Sequence, residues 1–217
     1  MNNFNAVHFF SQKETVGKKV DKGLLGIRGR QANEFAELGL PILPGFIFDS
    51  SVASSLETEP VCRMSLPYFE KCSALVGKVF GDSRNPLLVK IVISPNLAIA
   101  NYPTLHNFGL AKSTIAGFEK GVGANFAAHE VYFLLRGILS IEKQCAELED
   151  KPVQLEAFNG ALKEINETLK SGKVTLSGSE IMDKFSPLLP AGFFDTAEHQ
   201  FEISMQEISR LLRLDDQ

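Results

Sequence analysis

Residues 24–46, LLGIRGRQANEFAELGLPILPGF, restrict the backbone more tightly than any other part of this chain. Gly26 and Gly29 can take backbone angles closed to other residues. Gly39 stops a helix, and Pro41, with fixed φ and no amide N–H, prevents its restart. The stretch therefore reads as a glycine-rich loop, a helix over residues 31–38 and a tight turn into a strand. Arg28 and Arg30 place two permanent positive charges beside the glycines. The helix begins just after the loop, so its free N–H groups can point toward an anion. Gly26, Arg28 and Gly29 are accordingly the candidate phosphate- or nucleotide-binding residues. The competing reading of the same residues is a turn kept because it starts a helix.

A chain of 217 residues can bury a proper core, as one large domain or two small ones. Lys and Arg total 22 against 26 Asp and Glu, a net charge of −4. That mild acidity argues against broad nucleic-acid binding, which leans on a basic surface. The start, MNNFNAVHFFSQKE, lacks the charged segment and apolar run of a signal peptide. No window approaches the roughly 20 apolar residues of a membrane helix. Cys62, Cys72 and Cys145 are scattered and form neither a CxxC pair nor a metal-ligand cluster. Reduced thiols in a cytoplasm are the expectation. With 17 Phe and no Trp, Phe is expected to dominate the aromatic core.

Along the chain, residues 4–10 read as an opening strand, followed by a polar segment with Lys13, Lys18, Lys19 and Lys22. These lysines could extend an anion site or simply be a solvated face. Residues 45–50 read as a strand, and the Asp49–Ser51 corner can cap a short helix over 51–56. Residues 66–80 carry Phe69, Leu75, Val76, Val79 and Phe80 at helical spacing. GDSRNP, 81–86, is a turn by composition. LLVKIVI, 87–93, reads as a buried central strand, and 94–103 as loop. Beyond about residue 110 the periodicity becomes helical. Two helices, 113–121 and 126–145, are expected, the second with Val131, Leu134, Leu135, Ile138 and Ile141 on one face. Leu155, Phe158, Leu162, Ile165 and Leu169 mark another, closed by Gly172. Ser177 and Glu180 have capping-box spacing before a helix over 180–185. Asp195 can cap a last helix striped by Phe201, Met205, Ile208 and Leu212. His129-Glu130 lacks the second His of an HExxH motif, and no metal site is expected there. Cys145 has no evident His or Asn partner and reads as core. The fold class is α+β, an α/β part over 1–110 and a helical part over 111–217.

Set beside known families, the 24–46 stretch resembles the pattern LLGGKGxNLAEMxxLGxPxPxGF of pyruvate phosphate dikinase and, less closely, phosphoenolpyruvate synthase. GDSRNPLLVKI resembles that family's GDxxxPLLVSVRSGA, and NFGL followed by AGFEKGVGANFAAHEVYFLLRGI resembles its next helices. FDTAEHQFEISMQEISRLL is similar to a later family helix. The resemblance covers essentially the whole chain and implies the first subdomain of an ATP-grasp domain with its helical insertion. It also implies ATP with Mg²⁺ as the ligand class, and a phosphotransferase ancestry.

The departures shape what the resemblance implies here. The family's second glycine and lysine are Ile27 and Arg28, and a forked guanidinium is not equivalent to a lysine point charge. The family's Arg-Ser-Gly-Ala-Arg is Val92, Ile93, Ser94, Pro95 and Asn96, so two phosphate-facing cations are missing. Phosphoryl transfer depends on positioning and charge stabilisation, which those cations would supply. None of His8, His106, His129 or His199 lies in the family's Gly-rich Thr-Ser-His context. Residues 1–217 do not contain the later dikinase domains, so no catalytic residue is assigned. The resulting expectation is a catalytically incomplete domain with residual nucleotide or phosphate binding and a regulatory or scaffold role. One rival is a split phosphotransferase completed by a partner chain, with Arg28 or Lys90 replacing a lost cation. Another is a protein-interaction module. In either case a homodimer or hetero-complex is expected to cover the face that the missing half would occupy.

Overall fold

The computed structural model describes residues 6–17, 20–53, 60–94 and 102–215. The side chains of residues 52, 53, 60 and 62 are not among those described. Lys18 and Lys19, the ends of the expected segments 4–10 and 51–56, and Pro95 and Asn96 in the 94–103 loop lie outside the described residues, as does the side chain of Cys62. The chain divides into two compact units. The first comprises residues 1–77 and 93–102, the second 78–92 and 103–217. Helices dominate, accompanied by two small antiparallel sheets, in keeping with an α+β chain.

In the first unit, β1 (Val7–Phe10) pairs antiparallel with β2 (Gly45–Phe48), Val7 opposite Phe48 and Phe10 opposite Gly45. Gly45 is required by its partner strand, because a Cβ there would lie 2.6 Å from the Phe10 ring. Between the strands run a 3-10 turn, Lys22–Leu25, and α1, Gly26–Glu37. The helix thus starts at Gly26, five residues earlier than expected, and both glycines belong to its first turn. After β2 come the single turn α2 (Ser50–Ala53) and α3 (Pro60–Val76). Val61, Met64, Phe69 and Cys72 of α3 are buried. Leu75 and Val76, expected on the buried stripe, are exposed. The inward stripe begins before that window, at Val61 and Met64, and runs on through Phe69 and Cys72 at spacings of three to five. Phe46 knits strand to helix, its ring centroid 5.4 Å from Tyr68 and 5.2 Å from Phe69.

In the second unit, β3 (Val89–Val92) pairs antiparallel with β4 (Thr104–Phe108). The expected buried central strand is therefore one arm of a two-stranded sheet, half-buried, with Lys90 exposed. An apolar β-branched run of that length does not distinguish the two cases, because one packed face suffices to select it. Strand β4 was not anticipated. Five helices follow: α4 (Ile115–Val122), α5 (Ala124–Leu148), α6 (Pro152–Ser171), α7 (Gly178–Phe185) and α8 (Ala197–Asp215). Helix α5 is the axis of this unit. Val131, Leu134, Leu135, Ile138 and Ile141 are all fully buried. At Gly137 the helix meets β4, since a Cβ there would stand 2.7 Å from the Thr104 carbonyl oxygen. Gly172 ends α6 in the left-handed conformation. Ser177 and Glu180 form both bonds of the capping box at α7. At α8 it is Thr196, not Asp195, whose hydroxyl accepts the His199 N–H, at 3.1 Å. Fully buried Gln200 fastens α8 to the end of β4, accepting from the Gly109 N–H at 2.8 Å and donating to the Leu110 carbonyl at 2.9 Å.

Candidate functional site

The candidate anion site is built from the turn into α1. The Asp21 carboxylate accepts the Gly23 N–H at 2.8 Å and opens the 3-10 turn. Leu25 is buried and anchors the turn to the first unit's core. Gly26 joins turn to helix at φ 68°, a conformation that L side chains rarely adopt. It is doubly required, because a Cβ at Gly26 would sit 1.9 Å from the Ser94 carbonyl oxygen. Two residues on, the Arg28 N–H donates to the Ser94 hydroxyl at 2.9 Å. One of the otherwise unpaired donors of the helix N-terminus is thus occupied by this chain's own serine. Gly29 is buried, and a Cβ there would meet Ile47 at 3.1 Å and Leu25 at 3.3 Å. Both glycines are therefore explained by close packing.

The side chains are arranged differently from the backbone. Arg28 is exposed. Arg30 is half-buried, and its Nε is buried without a hydrogen-bond partner. Lys22 lies in an exposed ion pair with Glu37 at 3.1 Å, an interaction of small energetic weight. Buried Asn33 holds the helix in place, accepting from the Val16 N–H and donating to Glu37, each at 2.8 Å. Arg28 stands on the first turn of α1 and Arg30 just beyond it, two positions apart and therefore on different faces of the helix. Among the described residues there is no group of three or more His, Cys, Asp or Glu able to hold a metal ion. The contribution of Ser94 is not legible in sequence, since it comes from 66 positions away.

Two further clusters were not anticipated. A pocket of about 240 Å³ in the first unit is lined by His8, Glu14, Tyr68 and Lys71, among others. His8 Nε2 lies 2.8 Å from Asp49, whose other oxygen accepts the Ser51 N–H and hydroxyl. Burial opposes ionisation of Asp49, but Ser51 and His8 together outweigh it and lower the carboxyl below its usual range. In the second unit Arg210 of α8 contacts Glu149, Glu142 and Glu207. Neither buried cysteine is poised as a nucleophile. Burial pushes the Cys72 thiol up to about 11 and Cys145 up to about 12.

No protein-family model matches the chain. Over 216 residues, 100% of the chain at the precision of the match, it is 46% identical to pyruvate, phosphate dikinase of Treponema pallidum (strain Nichols), of which it spans 24%. Over 171 residues, 75% of the chain, it is 27% identical to pyruvate, phosphate dikinase 2 of Oryza sativa subsp. japonica, of which it spans 19%. The chain thus covers about a quarter or less of the curated relatives it matches. Throughout its length it is a relative of pyruvate, phosphate dikinase, the counterpart of one part of that protein and consistent with its N-terminal part.

Proposed function

We propose that this chain is a dikinase-type nucleotide-anchoring domain of the ATP-grasp class that binds a phosphate group without transferring it through its own residues. Arg28, exposed on the first turn of α1, takes the phosphate. The ligand expected is ATP with Mg²⁺. Ser94 takes one backbone donor of the turn, so binding rests on the Arg28 guanidinium and is correspondingly weak. With Val92 and Asn96 in place of the family's arginines, the transition-state charge lacks its stabilisers, and a regulatory or scaffold role in a cytoplasm follows. The observation that carries this reading is the full-length 46% identity combined with the exposed Arg28 side chain on the first turn of α1. Isothermal titration with ATP–Mg and with AMP tests it. Weak heat favouring ATP is expected, falling roughly tenfold in affinity in Arg28→Ala, the equivalent of one lost charge-assisted contact. No heat at millimolar ligand would sink it.

One observation favours an interaction role as well. Phe35, Leu38, Leu40 and Leu43 are exposed, Leu38 by 74% and Leu43 by 82%. Apolar side chains so concentrated at one helix end and its turn suit burial against a protein, in a homodimer or a hetero-complex. Light scattering at high concentration tests self-association, and a clean monomer counts against the homodimer.

A further inference from the structure

Among the described residues, strand β1 has a partner strand on one edge only. Its pairing with β2 fixes which backbone groups the other edge presents. Just beyond the Val7–Phe48 pair, the Asp49 N–H donates to the Ala6 carbonyl at 3.0 Å. Bonded residues alternate along an antiparallel ladder. Ala6, His8 and Phe10 therefore turn their N–H and C=O groups toward β2, and Val7, Phe9 and Ser11 turn theirs away. Two contacts agree with this direction. The Tyr68 hydroxyl of α3 donates to the Val7 carbonyl at 3.1 Å. Ser11 exchanges backbone bonds with Glu14, at 2.8 and 3.3 Å. Among the described residues the Val7 N–H and both backbone groups of Phe9 meet no such partner.

The Ser11–Glu14 turn starts a hairpin that does not continue. Continued, it would set Val16 opposite Phe9. The Val16 N–H goes instead to the buried Asn33 side chain at 2.8 Å, so the returning chain is held away from β1. The groove of about 240 Å³ lies between them, lined by the β1 edge, residues 14–17, Tyr68 and Lys71. An unpaired edge is a template for another strand. Walls on both sides leave room for one extended chain, whereas a second copy of β1 would bring the same walls to the same line. Residues added opposite Val7 and Phe9 carry their side chains to the α3 side of β1. There Tyr68 stacks on Phe9 with centroids 6.5 Å apart, and the Lys71 ammonium stands 4.8 Å from the Phe9 centroid. Lys71 is otherwise held by an exposed pair with Glu14 at 3.2 Å, a weak tie. The position opposite Phe9 thus favours a carboxylate, and the position opposite Val7, beside the Tyr68 ring, an apolar side chain.

We propose that this groove binds an extended segment of a partner protein, added antiparallel to β1, with an acidic residue opposite Phe9 and an apolar residue opposite Val7. The backbone groups of Val7 and Phe9 hold the segment's main chain, and Lys71 and Tyr68 choose its side chains. The Tyr68 hydroxyl shares the Val7 carbonyl, which has a second lone pair for the incoming N–H. The site stands apart from the Arg28 turn and from the exposed apolar residues that follow α1.

Amide exchange of the full chain, followed by NMR during titration with acetyl-Thr-Glu-Thr-Val-Thr-amide, tests this. Millimolar peptide should slow exchange of the Val7 and Phe9 N–H groups and leave those of His8 and Phe10, already turned to β2, unchanged. A peptide methylated at its Glu nitrogen, the donor to the Phe9 carbonyl, should give no protection. Replacing the peptide's Glu by Gln should weaken binding about threefold, and Lys71→Gln should remove that preference. Glu14→Gln should tighten binding of the Glu peptide, because Lys71 is released to it. Both substituted side chains are half-exposed, so neither variant threatens the fold. Val7 and Phe9 amides indifferent to the peptide, protection that survives methylation, or equal affinity for the Glu and Gln peptides overturns the proposal. Protection of those amides without peptide overturns it as well, since the edge is then filled by residues 14–17 or, if protection grows with protein concentration, by a second copy.

Discussion

Glu142 offers a sharp test of how the second unit holds together. It lies on α5 with 6% of its surface exposed. One carboxylate oxygen is 3.5 Å from Arg210, and the other is buried with no hydrogen-bond partner. Arg210 is largely committed elsewhere, to Glu207 at 2.8 Å and to both oxygens of Glu149, which Lys151 also contacts at 2.8 Å. Burial foremost, then Glu207, pushes Glu142 from 4.5 up to about 7, and Arg210 offsets this only in part. A folded value above the unfolded one means the native state favours the protonated acid. Its stabilising contribution is complete below about 4.5 and is lost as pH rises toward 7. The shift corresponds to about 3 kcal/mol, at about 1.36 kcal/mol per pH unit. Glu142→Gln should therefore match wild type near pH 4.5 and exceed it at pH 8 by up to about 3 kcal/mol, roughly 5–10 °C in Tm. Calorimetry from pH 4.5 to 8, with amide exchange on α5 to assign the transition to this unit, measures the difference. A Gln-minus-wild-type difference that stays constant across that range would refute the reasoning, because the cost would then be packing and not charge.

Glu149, in the same cluster, should behave oppositely. Arg210 and Lys151 lower it to about 2, so its contribution is present above about 4.5 and fades as pH falls toward 2. Glu149→Gln should flatten that acid limb of the unfolding curve, and an unchanged limb would show that another carboxylate sets it. Gly26→Ala should cost at least about 2 kcal/mol in urea denaturation, since the new methyl meets the Ser94 carbonyl at 1.9 Å and the φ of 68° is strained for alanine. A loss within experimental error would mean that the 94 segment yields freely. Ser177→Ala should cost about 1 kcal/mol and speed amide exchange at the start of α7, because the Glu180 N–H loses its acceptor. Unaltered exchange there would deny the capping box any role in stability.

What could be read in advance divides by the range of the interaction that decides it. The buried face of α5, the Gly172 stop and the Ser177–Glu180 box are settled within one or two helical turns, and their residues state the answer locally. Strand β4 fails that test, because Thr104–Phe108 mixes polar and apolar residues and is a strand through its pairing with β3. Strand β3 reads as apolar and β-branched whether one face or both are covered. The α1 turn is the most instructive case. Gly26 and Gly29 do mark places where a side chain cannot fit, as their sequence implies. A glycine requirement, however, records only that something approaches the backbone. A phosphate and a serine carbonyl leave the same mark. Here the approaching group is Ser94 at Gly26 and Ile47 at Gly29, so the glycines testify to packing and carry no evidence of a ligand. Evidence for an anion must come instead from a group that packing leaves unexplained, namely the exposed Arg28. That shifts the decisive mutation from the glycines, whose loss would disturb the fold and binding together, to Arg28, whose loss can affect binding alone.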